Sequence, residues 1–105
     1  MTCVIMERTD EVNRIDVSGH QPTLEGCENI FCAAISAMCC MLINALREAH
    51  ALGVVEAVES GHVFVECGRT LRTDAYFDIV RSGMNAMMCN YPDRVELASI
   101  GDFEV

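Results

Sequence analysis

Apolar and polar positions alternate with period two at both ends of the chain's first twenty residues. Thr2 to Glu7 reads as a short strand and Val12 to Gly19 as a second, with Thr9-Asp10-Glu11 as the polar turn of a hairpin. In the second strand Ile15 and Val17 share one face, and Arg14 and Asp16 the other. His20 to Cys27, with Pro22 and Gly26, reads as a loop. The period then changes. Phe31, Ile35, Met38, Leu42, Leu46 and Ala49 fall on one helical stripe, which predicts a helix from about Glu28 to Ala49 with Asn29 as N-cap. Its other side, Ala33, Ala37 and Cys40, is small and apolar. A helix apolar nearly all round is buried on more than one face, and in so short a chain the second face points to another subunit.

Gly53 follows that helix as a C′ residue. Val54 to Glu59 and His62 to Cys67 read as strands joined by the tight turn Ser60-Gly61. A second helix is predicted over Thr73 to Asn90, capped by Thr73, with a stripe of Tyr76, Val80, Met84, Met87 and Tyr91. Gly83 in its middle implies close packing, and Pro92 ends it. Arg94 to Ala98 reads as a last strand, and Gly101 to Val105 as a loose tail. The order β-β-α-β-β-α-β predicts an α+β fold: a two-layer sandwich with a mostly antiparallel sheet and both helices on one face. At 105 residues, 1–105 reads as a single domain without repeats or linkers.

Composition narrows the function. Seven Arg, no Lys and 16 acidic residues give a net charge of −9. That charge repels phosphate, which argues against a nucleic-acid partner, and would speed the approach of a basic peptide. The longest apolar run, Ile30 to Ile43, is short of the ~20 residues a membrane span needs. Met1 to Asp10 lacks the pattern of a signal peptide. A cytoplasmic protein away from membranes is the expectation. Seven cysteines cannot all pair within one chain, no two make a CxxC, and the three His form no metal-spaced pair with them. Reduced thiols acting as small hydrophobes are the default, with no metal and no cofactor.

Cys32 stands apart by position. On the predicted boundaries it lies within the first turn of the helix, where unpaired N–H groups and the helix dipole lower a thiol's pKa. The Cys32 or Ala33 N–H could also hold an oxyanion. His20 lies twelve residues upstream across a loop, and a Cys–His pair in hydrogen-bond reach is an activated nucleophile. By spacing alone a buried, inert Cys32 is the commoner outcome.

Val17-Ser18-Gly19-His20, the loop, and Asn29-Ile30-Phe31-Cys32-Ala33-Ala34-Ile35-Ser36 resemble the paired signature of the ribosomal-processing cysteine protease (Prp) family. The likeness continues through Asp78 to Asn90, Tyr91-Pro92 and the last strand, and so covers nearly the whole chain. It implies an α+β homodimer and a cysteine endopeptidase that removes the N-terminal extension from the precursor of bacterial ribosomal protein L twenty-seven. It places the nucleophile on Cys32, the general base on His20, and a substrate loop over Gln21 to Glu28. Two positions depart from the family pattern. Asn29 stands where Asp is usual, so it caps without supplying charge to a histidinium, and Phe31 replaces a smaller aliphatic residue. Gly19 reads as room for close backbone approach, and Ser36, one turn past Cys32, as a back-bond to the Cys32 carbonyl. Within the loop, Glu25, Gly26 and Glu28 are the candidate substrate contacts, the two glutamates drawing in a basic precursor. A Cys27–Cys32 disulfide is a possible oxidative switch. Two rival readings are a non-catalytic acidic dimer that binds a ribosomal or other basic partner, and a thiol-based metal or redox protein. His50 and His62 read as ordinary surface or turn residues without partners.

Overall fold

The computed structural model describes residues 1–19, 27–59, 61–101 and 103; at 27–30 and 32 the description covers backbone only. Seven elements follow in the expected order: β1 (Thr2–Arg8), β2 (Val12–Ser18), α1 (Cys27–Glu48), β3 (Val55–Glu59), β4 (His62–Gly68), α2 (Leu71–Asn90) and β5 (Val95–Gly101). The strands form one sheet in the order β3-β4-β2-β1-β5. The β1/β2, β2/β4 and β3/β4 pairs are antiparallel, and β5 lies parallel to β1. The crossover through α2 makes that parallel pair possible.

Register puts one apolar set on one face. Val4 pairs with Val17 and Met6 with Ile15, while Ile15 and Val17 meet Val65 and Val63 on the other side. All six are buried, together with Ile35, Leu42 and Leu46 of α1 and Phe77, Val80 and Met84 of α2. Both helices therefore cover the same face, and the fold is the two-layer α+β sandwich that the pattern predicts. Where α1 and α2 touch, a Cβ on Gly83 would stand 2.6 Å from the Met38 sulfur. The mid-helix glycine is thus explained by close packing, as expected.

Several boundaries differ from the sequence reading, each for a physical reason. α2 begins two residues early because Thr70, not Thr73, is the N-cap. Thr70 accepts from the Thr73 N–H, and Thr73 accepts from the Thr70 N–H in return. Thr73 is the third helical residue of a reciprocal capping box. α1 also begins earlier than predicted, at Cys27, which puts Asn29 inside the first turn and removes its role as cap. Phe77, absent from the predicted stripe, is fully buried, whereas Tyr91 is exposed. The last strand runs on to Gly101, and the expected loose tail has an anchor: the Phe103 ring is buried, with the Arg8 guanidinium 4.1 Å from its centroid.

Candidate active site

β2 ends at Ser18, and Gly19 follows with a φ of 75°. A side chain there would be strained, and its Cβ would come within 2.5 Å of the Met1 carbonyl oxygen. Only glycine lets the chain turn off the sheet at this point, as close backbone approach predicts. His20, Gln21 and Glu25 lie outside the described residues, as does Gly26.

Cys32 is the sixth residue of α1. This corrects the expectation that it stands in the first turn. In a helix beginning at Cys27, the unpaired N–H groups belong to the residues around 27–29. The N–H groups of Cys32 and Ala33 fall in the i→i−4 ladder, directed at the carbonyls of Glu28 and Asn29. Ala33 therefore loses the free donor on which its oxyanion role was argued. Cys32 keeps only the weaker tail of a dipole effect that fades within a turn. Ser36 follows one turn later, half-buried.

Phe31 precedes Cys32, and its ring meets Tyr91 edge to face with centroids 4.6 Å apart. The Arg94 guanidinium lies 5.8 Å from the Phe31 centroid. Phe31, a departure from the family pattern, thus has a partner at the α2–β5 connection.

Two of the other thiols, Cys39 and Cys67, are buried. Cys3, Cys39, Cys40, Cys67 and Cys89 are all free. Burial, together with the neighbouring Cys40 thiol, pushes Cys39 up to about 11. Burial also raises Cys67, against the opposing hydrogen bond from Thr73. Among the described residues no three His, Cys, Asp or Glu are grouped to hold a metal ion.

The histidines sort by place. His50 ends the turn after α1, eighteen residues beyond Cys32, or about 27 Å at 1.5 Å per helical residue. His62, read from sequence as having no partner, has one: its Nε2 lies 2.9 Å from Asp16 Oδ1. The pair sits on the uncovered face of the sheet, opposite to α1, since Asp16 and His62 alternate with the buried Val17 and Val63. Residues 46 apart meet here through the β2/β4 register alone, which no local sequence signal carries. Neither His50 nor His62 is placed to serve Cys32.

The α1 face bearing Ala33, Ala37, Cys40 and Met41 is exposed. No helix among the described residues is long and apolar enough to cross a membrane.

Among curated proteins none matches the chain. Solved structures do. A crystal structure of the essential ribosomal-processing protease Prp from S. aureus with a substrate peptide superposes with a TM-score of 0.79, at 16% identity over 94% of this chain and 99% of that one. The same protease with a covalently linked product peptide gives 0.79 at 17% identity, over 94% and 99%. SMU.848 from Streptococcus mutans gives 0.74 at 19% identity, over 95% and 97%. At such identities these structures establish the shared fold. The family model for cysteine protease Prp matches residues 1–96, and with that match the chain belongs to the Prp family of ribosomal-processing cysteine proteases.

Proposed function

We propose that Cys32 and His20 form the catalytic dyad of this cysteine protease, and that its substrate is a bacterial ribosomal protein precursor with a basic N-terminal extension. The observation that supports the dyad is the family match over residues 1–96, which spans both motif halves. Gly19, a position that only glycine can fill, ends β2 one residue before His20 in sequence. Of the three histidines, the other two are occupied or remote. The substrate reading is supported by the complex of the S. aureus relative with a substrate peptide and by this chain's net charge of −9.

His20 accepts the Cys32 proton. The thiolate attacks the scissile carbonyl carbon, His20 returns the proton to the leaving amine, and water cleaves the thioester to release the extension and regenerate the thiol. Gln21 to Glu28 is the candidate substrate loop, with Glu25 and Glu28 favouring basic residues. The protein acts in the cytoplasm as a homodimer, and the exposed Ala33, Ala37, Cys40 and Met41 face of α1 is the surface that a second copy covers. Light scattering at micromolar concentration should then give twice the 11.6 kDa chain mass; a monomer refutes the dimer.

The decisive experiment is incubation with an extended ribosomal precursor. Cleavage by the unaltered protein, lost in both Cys32→Ala and His20→Ala, upholds the dyad. Binding without cleavage favours the non-catalytic module. Glu25→Gln with Glu28→Gln should lower kcat/KM at low salt and flatten its salt dependence.

A further inference from the structure

The turn between α2 and β5 touches both halves of the candidate site. Tyr91 caps α2, donating its N–H to the Met87 carbonyl, and its own carbonyl accepts from Arg94 and Val95. That tight turn presents the Tyr91 ring and the Arg94 guanidinium to Phe31. Behind it, the Arg94 carbonyl accepts the Thr2 N–H at 2.8 Å, and the carbonyl of the adjacent Met1 abuts Gly19. Two short stretches joined by a hydrogen bond, 91–94 and 1–2, thus span from Phe31, the residue before Cys32, to Gly19, the residue before His20.

The helix needs such a tie. Among the described residues of α1 the buried core begins at Ile35, a turn beyond Phe31, and helix ends fray where tertiary contacts are few. An edge-to-face ring pair with a cation near one ring is directional, because a ring's negative face attracts both the positive edge of its partner and the cation. We propose that Tyr91 and Arg94 are positioning residues, holding Phe31 and hence the Cys32 turn of α1 at a fixed spacing from the Gly19 end of β2. The inference rests on the assignment of Cys32 and His20 as the dyad.

The test is alkylation of the full chain by iodoacetamide between pH 5 and 9, with Cys32 labelling read by peptide mass spectrometry. Precursor cleavage is followed in parallel. Tyr91→Ala should slow Cys32 labelling about fivefold to tenfold near pH 6.5, where pairing with an imidazole governs the thiolate fraction. The deficit should close by pH 9, where any thiol ionises. The cleavage defect should lie in kcat, with KM changed less than about twofold. Tyr91→Phe should restore both, since the ring and not the hydroxyl makes the contact, and Arg94→Gln should show a smaller loss in the same direction. Tm should not move. The proposal is overturned if Cys32 labelling and kcat ignore Tyr91→Ala, or if Tm falls in step with them. A protein that leaves the precursor whole, yet whose Cys32 labelling still depends on Tyr91, overturns the substrate reading and upholds this one.

Discussion

The two ends of β1 are held by different kinds of contact. At the Arg8 end, charge is concentrated and satisfied. Arg8 donates to the Asn13 side chain and to the Asp74 carbonyl and pairs with Asp78; Asn13 donates to the Asp74 carboxylate, which Arg69 also grips at 2.8 Å. The Phe103 ring packs on the Arg8 guanidinium. At the Met1 end, beyond the strand ladder, the contacts among the described residues include a glycine abutment, a backbone hydrogen bond from Thr2 to Arg94 and a ring pair. The first end is a mechanical anchor. The second flanks the candidate chemistry, and what meets there among the described residues is close backbone approach and ring packing rather than a charge network.

The sharpest way to break that contrast is to damage each end and compare. Gly19→Ala introduces a Cβ against the Met1 carbonyl at positive φ, so cleavage should fall more than about tenfold, since small misplacements at a reacting pair are costly. Assays of kcat/KM beside a thermal melt would show activity lost well ahead of stability. Phe103→Ala should do the reverse. Truncating a buried aromatic ring costs about 3 kcal/mol, seen as a lower urea midpoint, while kcat in the surviving folded protein stays near the unaltered value.

A pH series probes the same anchor. The hydrogen bond from Arg69, helped by Asn13 and Arg8 against desolvation, holds Asp74 below the usual carboxylate range. A lowered folded value means the carboxylate form stabilises the fold above the unfolded pKa of about 3.9. That contribution fades as the pH falls through the lower folded value. Asp74→Asn should therefore be less stable than the unaltered chain at pH 7, and the gap should narrow below about pH 4. Urea midpoints measured from pH 7 to pH 3 decide it. A gap independent of pH refutes the assignment.

The smallest effects belong where opposing effects cancel or solvent screens the contact. Gly83→Ala gains helix propensity of about 1 kcal/mol but forces the flexible Met38 side chain aside, so its net change should stay within about 1 kcal/mol. Glu56→Gln removes an exposed pair with Arg47 and should cost at most about 0.5 kcal/mol. Denaturation midpoints resolve both from the Phe103 effect.

Periodicity determined most of the architecture. Alternation at Ile15 and Val17 or at Val63 and Val65, and the 3.6-residue stripe from Phe31 to Leu46, are local consequences of which side chains avoid water. They named seven elements in order and the buried face of β2, β4 and α1, while the α2 stripe missed the buried Phe77 and included the exposed Tyr91. The paired motif around His20 and Cys32 was legible too, because its residue types lie close in sequence. Tertiary structure alone decided the partners of remote residues: β5 beside β1, Asp16 on His62, Asp74 between Arg69 and Asn13, Phe103 on Arg8, and Phe31 against Tyr91. It also set the start of α1 at Cys27, early enough to take the Cys32 N–H into the ladder. Such pairings depend on register and on distances between segments far apart in the chain. A pattern along the sequence tells which face a residue prefers, but not what waits for it there.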